Sequence, residues 1–297
     1  LELVACGSSS PEMETFSAWE YEVLSQTYEL VDYISAHAYY WERDGDLASF
    51  LASGVEMDNF VDDVLATPDA VRAKGKYKKR INISFDEWNV WYQKRAESVP
   101  PKGDDWPIAP VLLEDNYTVA DAIVVGGLLI SLLRHTDRVH SASLAQLVNV
   151  IAPIMTEPGG RVWKQTIFYP FAQASNLASG VVLQPVISSP TYETERYGEV
   201  PVLDAVATWD EESGITTVFA VNRSMTDSMD LEIDLRAAGH QVLEATSYSS
   251  TDPYWAASAD DDSSVVPVAN ETASVSEGIV KMELPPVSWN MIRLARA

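Results

Sequence analysis

Hydrophobic periodicity changes once along this chain, close to Gly180, and that change limits the folds open to it. Before it, apolar runs of strand length alternate with longer runs repeating every three or four residues, the order of parallel strand–helix units. After it, the runs are short, alternate apolar with polar and are separated by Asp, Gly, Ser and Asn clusters, the spacing of an antiparallel sandwich. The expectation is an α/β part over 1–180 followed by an all-β part over 181–297.

In the first part the pattern predicts strands at Leu3–Cys6, Val31–His37, Lys79–Phe85 and Val139–Leu144. Helices are expected at roughly Thr15–Glu29, from the Glu42–Asp46 loop to about Lys74 with a break near Thr67-Pro68, at Val119–Leu133 and at Trp163–Leu177. The Val119–Leu133 helix is almost wholly apolar, so it must be buried on most sides, and Asn116 is placed to cap it. Cys6 ends an apolar run and is expected to be buried. The Pro-rich excursion Val99–Pro110 is a loop long enough to be functional or mobile. In the second part strands are expected at Val181–Ile187, Val202–Thr208, Ile215–Val221, Met229–Leu235, Val242–Tyr248, Ile279–Leu284 and Ser288–Leu294. Four parallel units are half of the eight that close a (β/α)8 barrel, and they leave two sheet edges uncovered. The economical reading is the carboxyl-terminal half of a TIM barrel, belonging to a longer enzyme.

Charge and composition exclude several functions. The net charge of −24 and pI near 4.3 repel a phosphate backbone, which argues against nucleic acid and anionic membranes as partners. The longest apolar run, Ala122–Leu133, is about 12 residues and too short to span a bilayer. A single cysteine excludes an internal disulfide and permits a reducing compartment. His135, His140 and His240 lack metal-ligand spacing, and Asp260-Asp-Asp262 reads as a solvated loop before a calcium site. Asn116, Asn222 and Asn270 fit the glycosylation pattern, which carries no weight without secretion.

Chemistry concentrates in Ile81-Asn-Ile-Ser-Phe-Asp-Glu-Trp-Asn-Val-Trp-Tyr92. An apolar strand here turns acidic and aromatic at its carboxyl end, where barrel enzymes gather catalytic groups. A carboxylate among indoles suits sugar cleavage, one group attacking or donating a proton and flat apolar faces holding a ring. Glu87 is the candidate. Strict alternation puts it on the face of Ile81, Ile83 and Phe85, so a bulge or barrel-end twist is needed to re-aim it. Of the two tryptophans, Trp91 is favoured for sugar contact, because Trp88 can pack beneath the strand.

The motifs Val4-Ala-Cys-Gly-Ser-Ser-Ser-Pro11, Asp32-Tyr-Ile-Ser-Ala-His-Ala-Tyr-Tyr40, Ser84-Phe-Asp-Glu-Trp-Asn-Val-Trp-Tyr92 and Ala145-Gln-Leu-Val-Asn-Val-Ile-Ala-Pro153 resemble the bacterial intracellular α-L-arabinofuranosidases of glycoside hydrolase family 51. The resemblance implies barrel strands 5–8 followed by a jelly-roll-like β-sandwich, and a retaining hydrolase acting on arabinan, arabinoxylan or arabino-oligosaccharides. It implies Glu87 as the nucleophile and Tyr39 as a tyrosine touching nucleophile and sugar. Gln146 would hydrogen-bond the furanose, with His37 and Trp91 lining the same pocket. It further implies no metal or organic cofactor, a cytoplasmic location and a homo-oligomer, hexameric in the family. One departure stands out: the family's acid/base lies in a Gly-Asn-Glu motif, and no Gly-Asn-Glu occurs in this chain. A different retaining barrel glycosidase (an endoglucanase or xylosidase) and a non-catalytic sugar-binding fragment are the competing readings. Turnover by this chain alone would require another acid, such as Glu42, Asp44 or Glu114.

Overall fold

The computed structural model of the chain describes residues 1–92, 102–106, 108, 113–235 and 240–296. Its first part runs β1 (Val4–Ala5), α1 (Ala18–Thr27), β2 (Tyr33–Tyr40), α2 (Leu47–Leu51), α3 (Ser53–Gly75), β3 (Asn82–Val90), α4 (Val119–Arg134) and β4 (Val139–Leu144). The strands form one four-stranded sheet in chain order, and every neighbouring pair is parallel. Each crossover carries helix, as parallel pairing requires. The sheet is open: among the described residues β1 and β4 are its edges, and no barrel closes.

Several boundaries differ from those the pattern predicts. The long helix α3 continues through Pro68, because Val64, Leu65, Thr67, Pro68 and Val71 are all buried and packing outweighs one lost backbone bond. Thr118, not Asn116, caps α4: its hydroxyl accepts from Asp121 N while the Asp121 carboxylate accepts from Thr118 N, a reciprocal capping box. Trp163 belongs to a short hairpin of β5 (Ile154–Thr156) and β6 (Val162–Lys164), and the helix after it, α5, is only Phe168–Leu177. Cys6 is exposed: it follows β1, a two-residue strand at the edge of the sheet. Half of the Val99–Pro110 excursion lies outside the described residues.

The second part is sheet throughout: β7 (Val181–Leu183), β8 (Thr191–Thr194), β9 (Gly198–Pro201), β10 (Leu203–Asp210), β11 (Ile215–Asn222), β12 (Met229–Asp234), β13 (His240–Tyr248), β14 (Val268–Ala269), β15 (Ser274–Ser276), β16 (Ile279–Leu284) and β17 (Ser288–Arg296). An antiparallel sheet of order β14-β13-β17-β11-β10-β7 faces a smaller one of order β12-β16-β15, and β8 pairs β9 as a hairpin. All seven strands expected from the pattern occur, the one expected over Val181–Ile187 ending at Leu183.

Period-two alternation gives the six-stranded sheet two apolar faces. Leu203, Ala205, Val218, Ala220, Ile292 and Leu294 join Leu231, Val280, Met282 and Leu284 of the smaller sheet in one cluster. Their neighbours Val206, Phe219, Val221, Trp289 and Met291 face the other way, into the core of the first part. Helix α4 fills that junction, touching α3 and α5 on one side and β10, β11 and β17 on the other. Fourteen of its residues, from Val119 to Leu132, are buried, which is why it carries almost no polar face. At the margin of the junction Arg134 pairs with both Asp58 and Asp204, and Arg223 shares Asp204.

Candidate active site

Glu87 owes its direction to a bulge. Ser35 pairs with Ser84 but His37 pairs with Glu87, so two steps on β2 oppose three on β3. On the other side Phe85 pairs with Ala142 and Trp88 with Leu144, again three steps against two. One extra residue therefore sits in β3 around Asp86, whose carboxylate accepts from the Ser84 hydroxyl. The alternation resets there. Ile81, Ile83 and Phe85 remain buried, Glu87 comes out to solvent, and Trp88 turns back into the core against Phe171. Trp88 accordingly lies in the core, away from the solvent onto which Glu87 opens.

Two further side chains approach Glu87 at the carboxyl end of the sheet, and a third packs on one of them. The Tyr39 hydroxyl donates to Glu87 Oε2 at 2.8 Å. His37 Nδ1 stands 3.8 Å from the same oxygen, too far for a hydrogen bond in this arrangement. Trp91 meets Tyr39 edge to face, with ring centroids 5.0 Å apart, and its backbone N–H donates to Tyr40 O at 2.9 Å. Burial first, and then the bonded Glu87 carboxylate, push the Tyr39 phenol well above its ordinary pKa. It therefore stays a hydrogen-bond donor at neutral pH. The Glu87 side chain is 49% exposed and that of His37 25%, so the carboxylate opens onto solvent instead of being sealed in the core.

Gln146 stands apart from these four. Its side chain is exposed and makes no hydrogen bond with another described residue, while its backbone N–H donates to Ile151 O at 3.2 Å. Asn89, which sequence reasoning passed over, ties its turn to the Glu87 strand. Asn89 is fully buried and donates from Nδ2 to Ala145 O and to Ile151 O, both at 2.7 Å. The signal was available: an amide inside Trp88-Asn89-Val90, where a buried polar group has to find partners.

Among the described residues no three His, Cys, Asp or Glu side chains converge as a metal site. Asp260 pairs with Arg161, and Asp261 accepts from Ser263 N and Ser264 N, so the acidic triplet organises its own loop. His135 approaches Asp58, and His140 lies beside Asn82 and Tyr33.

Residues 86–288 match the family model described as the α-L-arabinofuranosidase C-terminal domain. A Streptomyces lividans protein named intracellular exo-α-(1→5)-L-arabinofuranosidase is 52% identical over 296 residues, covering 99% of this chain and 44% of that protein. A Bifidobacterium longum protein named exo-α-(1→6)-L-arabinofuranosidase is 49% identical over 304 residues, covering 99% of this chain and 58% of its own length. The solved structure of a family 51 α-L-arabinofuranosidase from Bifidobacterium longum superposes with a TM-score of 0.93 at 44% identity, covering 99% of this chain and 58% of that one. The chain thus spans about half the length of the relatives it matches.

Proposed function

The chain belongs to glycoside hydrolase family 51 through its α-L-arabinofuranosidase C-terminal domain, and on that premise we propose that it is the carboxyl-terminal part of a retaining exo-α-L-arabinofuranosidase. Such an enzyme releases terminal arabinofuranosyl groups from arabinan, arabinoxylan or arabino-oligosaccharides. In this reading β1–β4 are barrel strands 5–8, the unit divides near residue 180, and the two antiparallel sheets form a jelly-roll-like sandwich. The remaining strands, and the acid/base glutamate, come from sequence outside this chain. The Streptomyces lividans relative is named an intracellular enzyme, which supports a cytoplasmic site of action, and the family relationship supports a homo-oligomer.

The observation that carries the reading is the half-exposed Glu87 carboxylate, set on the inner strand β3 and held by Tyr39 at 2.8 Å. With Oε2 occupied by the phenol, Oε1 attacks the anomeric carbon. The glycosidic C–O bond breaks, and the leaving oxygen takes a proton from the second carboxyl group, about 5–5.5 Å away in a retaining site. That second group then deprotonates water, which attacks the glycosyl ester and returns Glu87 as carboxylate. Tyr39 keeps the nucleophile oriented, and Trp91 and His37 wall the pocket. Gln146 offers its amide to the furanose hydroxyls from the turn that Asn89 anchors.

Glu87→Gln in the full-length enzyme tests the assignment. Loss of at least about a thousandfold in kcat/KM is expected for removal of a nucleophile. Near-normal hydrolysis of an aryl α-L-arabinofuranoside by that variant overturns it. Faster hydrolysis of aryl pyranosides than of the arabinofuranoside favours another retaining glycosidase instead.

A further inference from the structure

Gln146 is carried by the turn that follows β4. Ala145 N donates to Trp88 O at 3.2 Å, so the turn starts against the residue next to Glu87 on β3. Its backbone is strained: Asn149 has a φ of 64° and Ile151 a φ of 40°, the left-handed region that a β-branched residue scarcely visits. Such a conformation persists only where its surroundings impose it, and strain of this kind gathers at ligand-binding sites. Asn89 is one restraint, holding Ala145 O and Ile151 O. A second acts on the far end of the turn.

Gln165 supplies it. The residue lies between β6 and α5, is buried, and donates from its backbone N–H to Pro153 O at 2.8 Å. Its carboxamide reaches two segments at once. Nε2 donates to Ala152 O at 2.8 Å and to Asp115 O at 2.9 Å, and Oε1 accepts from Tyr117 N at 3.0 Å. Among side chains of this length only glutamine carries two N–H donors and an acceptor on one planar group. Asp115, Tyr117 and Ala152 are buried too, so water does not replace a bond that is lost. Ile151 N, at the strained residue itself, donates to Leu113 O at 2.7 Å, a further link between the same two segments. The 113–117 segment is in turn fixed to the nucleophile strand, where the Tyr117 hydroxyl donates to Val90 O at 2.8 Å, three residues beyond Glu87.

We infer that Gln165 is a positioning residue for sugar binding: it holds the strained turn against the 113–117 segment and so fixes where Gln146 meets the furanose. The inference rests on the arabinofuranosidase reading, which gives Gln146 its contact with the sugar. Gln165 acts through the turn and, being buried, does not itself touch the substrate. Without its carboxamide the turn relaxes and Gln146 loses its place, while Glu87 keeps its bond from Tyr39. Binding therefore weakens and the chemical step is spared.

The test places Gln165→Leu in the full-length enzyme, alone and together with Gln146→Ala, and assays hydrolysis of 4-nitrophenyl α-L-arabinofuranoside. Alone it is expected to raise KM about tenfold with kcat within about threefold of the parent. On the Gln146→Ala background it should raise KM less than about twofold, because two residues acting through one contact are not additive. Gln165→Glu, which keeps the length and the acceptor but cannot make both donor bonds, enters the same comparison and decides it if the leucine variant does not fold. A KM unchanged by the substitution, a loss confined to kcat, or the same rise in KM with and without Gln146 overturns the inference, while hydrolysis by the parent leaves the arabinofuranosidase reading standing. A parent enzyme that does not hydrolyse the substrate overturns that reading and the inference with it.

Discussion

Gly126 and Gly127 are consecutive, both buried in the middle of α4, and they should respond to the same substitution with opposite signs. A Cβ built at Gly126 lies 2.4 Å from Cε3 of Trp289 and 3.0 Å from Cζ3, whereas one at Gly127 meets nothing within 4 Å. Trp289 has no room to retreat. It is fully buried, stacked on Phe219 with centroids 5.3 Å apart, and its indole N–H donates to Gln173 Oε1 at 2.7 Å. Overpacking of a rigid core costs about 3 kcal/mol at the upper end, and replacing a helical glycine by alanine returns about 1 kcal/mol. Gly126→Ala should therefore lose about 2 kcal/mol, a fall of roughly 4–8 °C in Tm for a chain of this size. Gly127→Ala should gain up to about 1 kcal/mol, a rise of roughly 2–4 °C. Thermal unfolding followed by circular dichroism, with urea midpoints as a second probe, measures both. A Gly126→Ala protein as stable as the parent, or a Gly127→Ala protein less stable than Gly126→Ala, refutes the claim that α4 and β17 are in direct contact through this glycine.

Other outcomes follow from the site and the junction. Tyr39→Phe removes the 2.8 Å bond to Glu87, and a bond to a charged acceptor is worth about 1.5–3 kcal/mol. Because the carboxylate is half-exposed, water replaces part of that, so kcat/KM of the full-length enzyme should fall about tenfold, and a change under twofold contradicts the role. Asn89→Ala takes the Nδ2 donor from Ala145 O and leaves Ile151 O with the Gln146 N–H, and should raise KM more than it lowers kcat by loosening the Gln146 turn. A pure loss of kcat with KM unchanged argues against that. Burial pushes the Asp58 carboxyl up, but His135, Arg134 and Ser131 together outweigh it and hold the pKa below its ordinary 3.8. A depressed folded pKa means that Asp58 stabilises the fold above about pH 4 and loses that contribution as pH falls through the folded value. Urea midpoints of Asp58→Asn should be lower than the parent's at pH 7 and converge with them toward pH 3; parallel curves rule the linkage out.

How much of this was legible depended on how local the cause was. The β4 strand at Val139–Leu144 and the apolar helix from Val119 could be read directly, since a run with no polar face has only one place to go. Their burial against a second sheet was not legible, because Phe219, Trp289 and Met291 reach α4 from residues about a hundred or more positions later. The bulge at Asp86 was expressible only as a need, arising when alternation pointed Glu87 inward. Its position depends on the registers of β2 and β4 together, which no single strand encodes. Pro68 breaks a helix on propensity alone, but the core holds both flanking turns of α3. Cys6 misled in the opposite sense, as an apolar run read as buried lies on a sheet edge.

The central claim is that Glu87 forms a covalent bond to the sugar. Treating the full-length enzyme with a 2-deoxy-2-fluoro-α-L-arabinofuranosyl donor carrying an activated leaving group should trap that ester, since the fluorine slows its hydrolysis. Peptide mapping by mass spectrometry is predicted to find one added fluoropentosyl group on Glu87, and none in the Glu87→Gln variant. A label on any other carboxylate, or turnover of the donor through an inverted product with no label, contradicts the account.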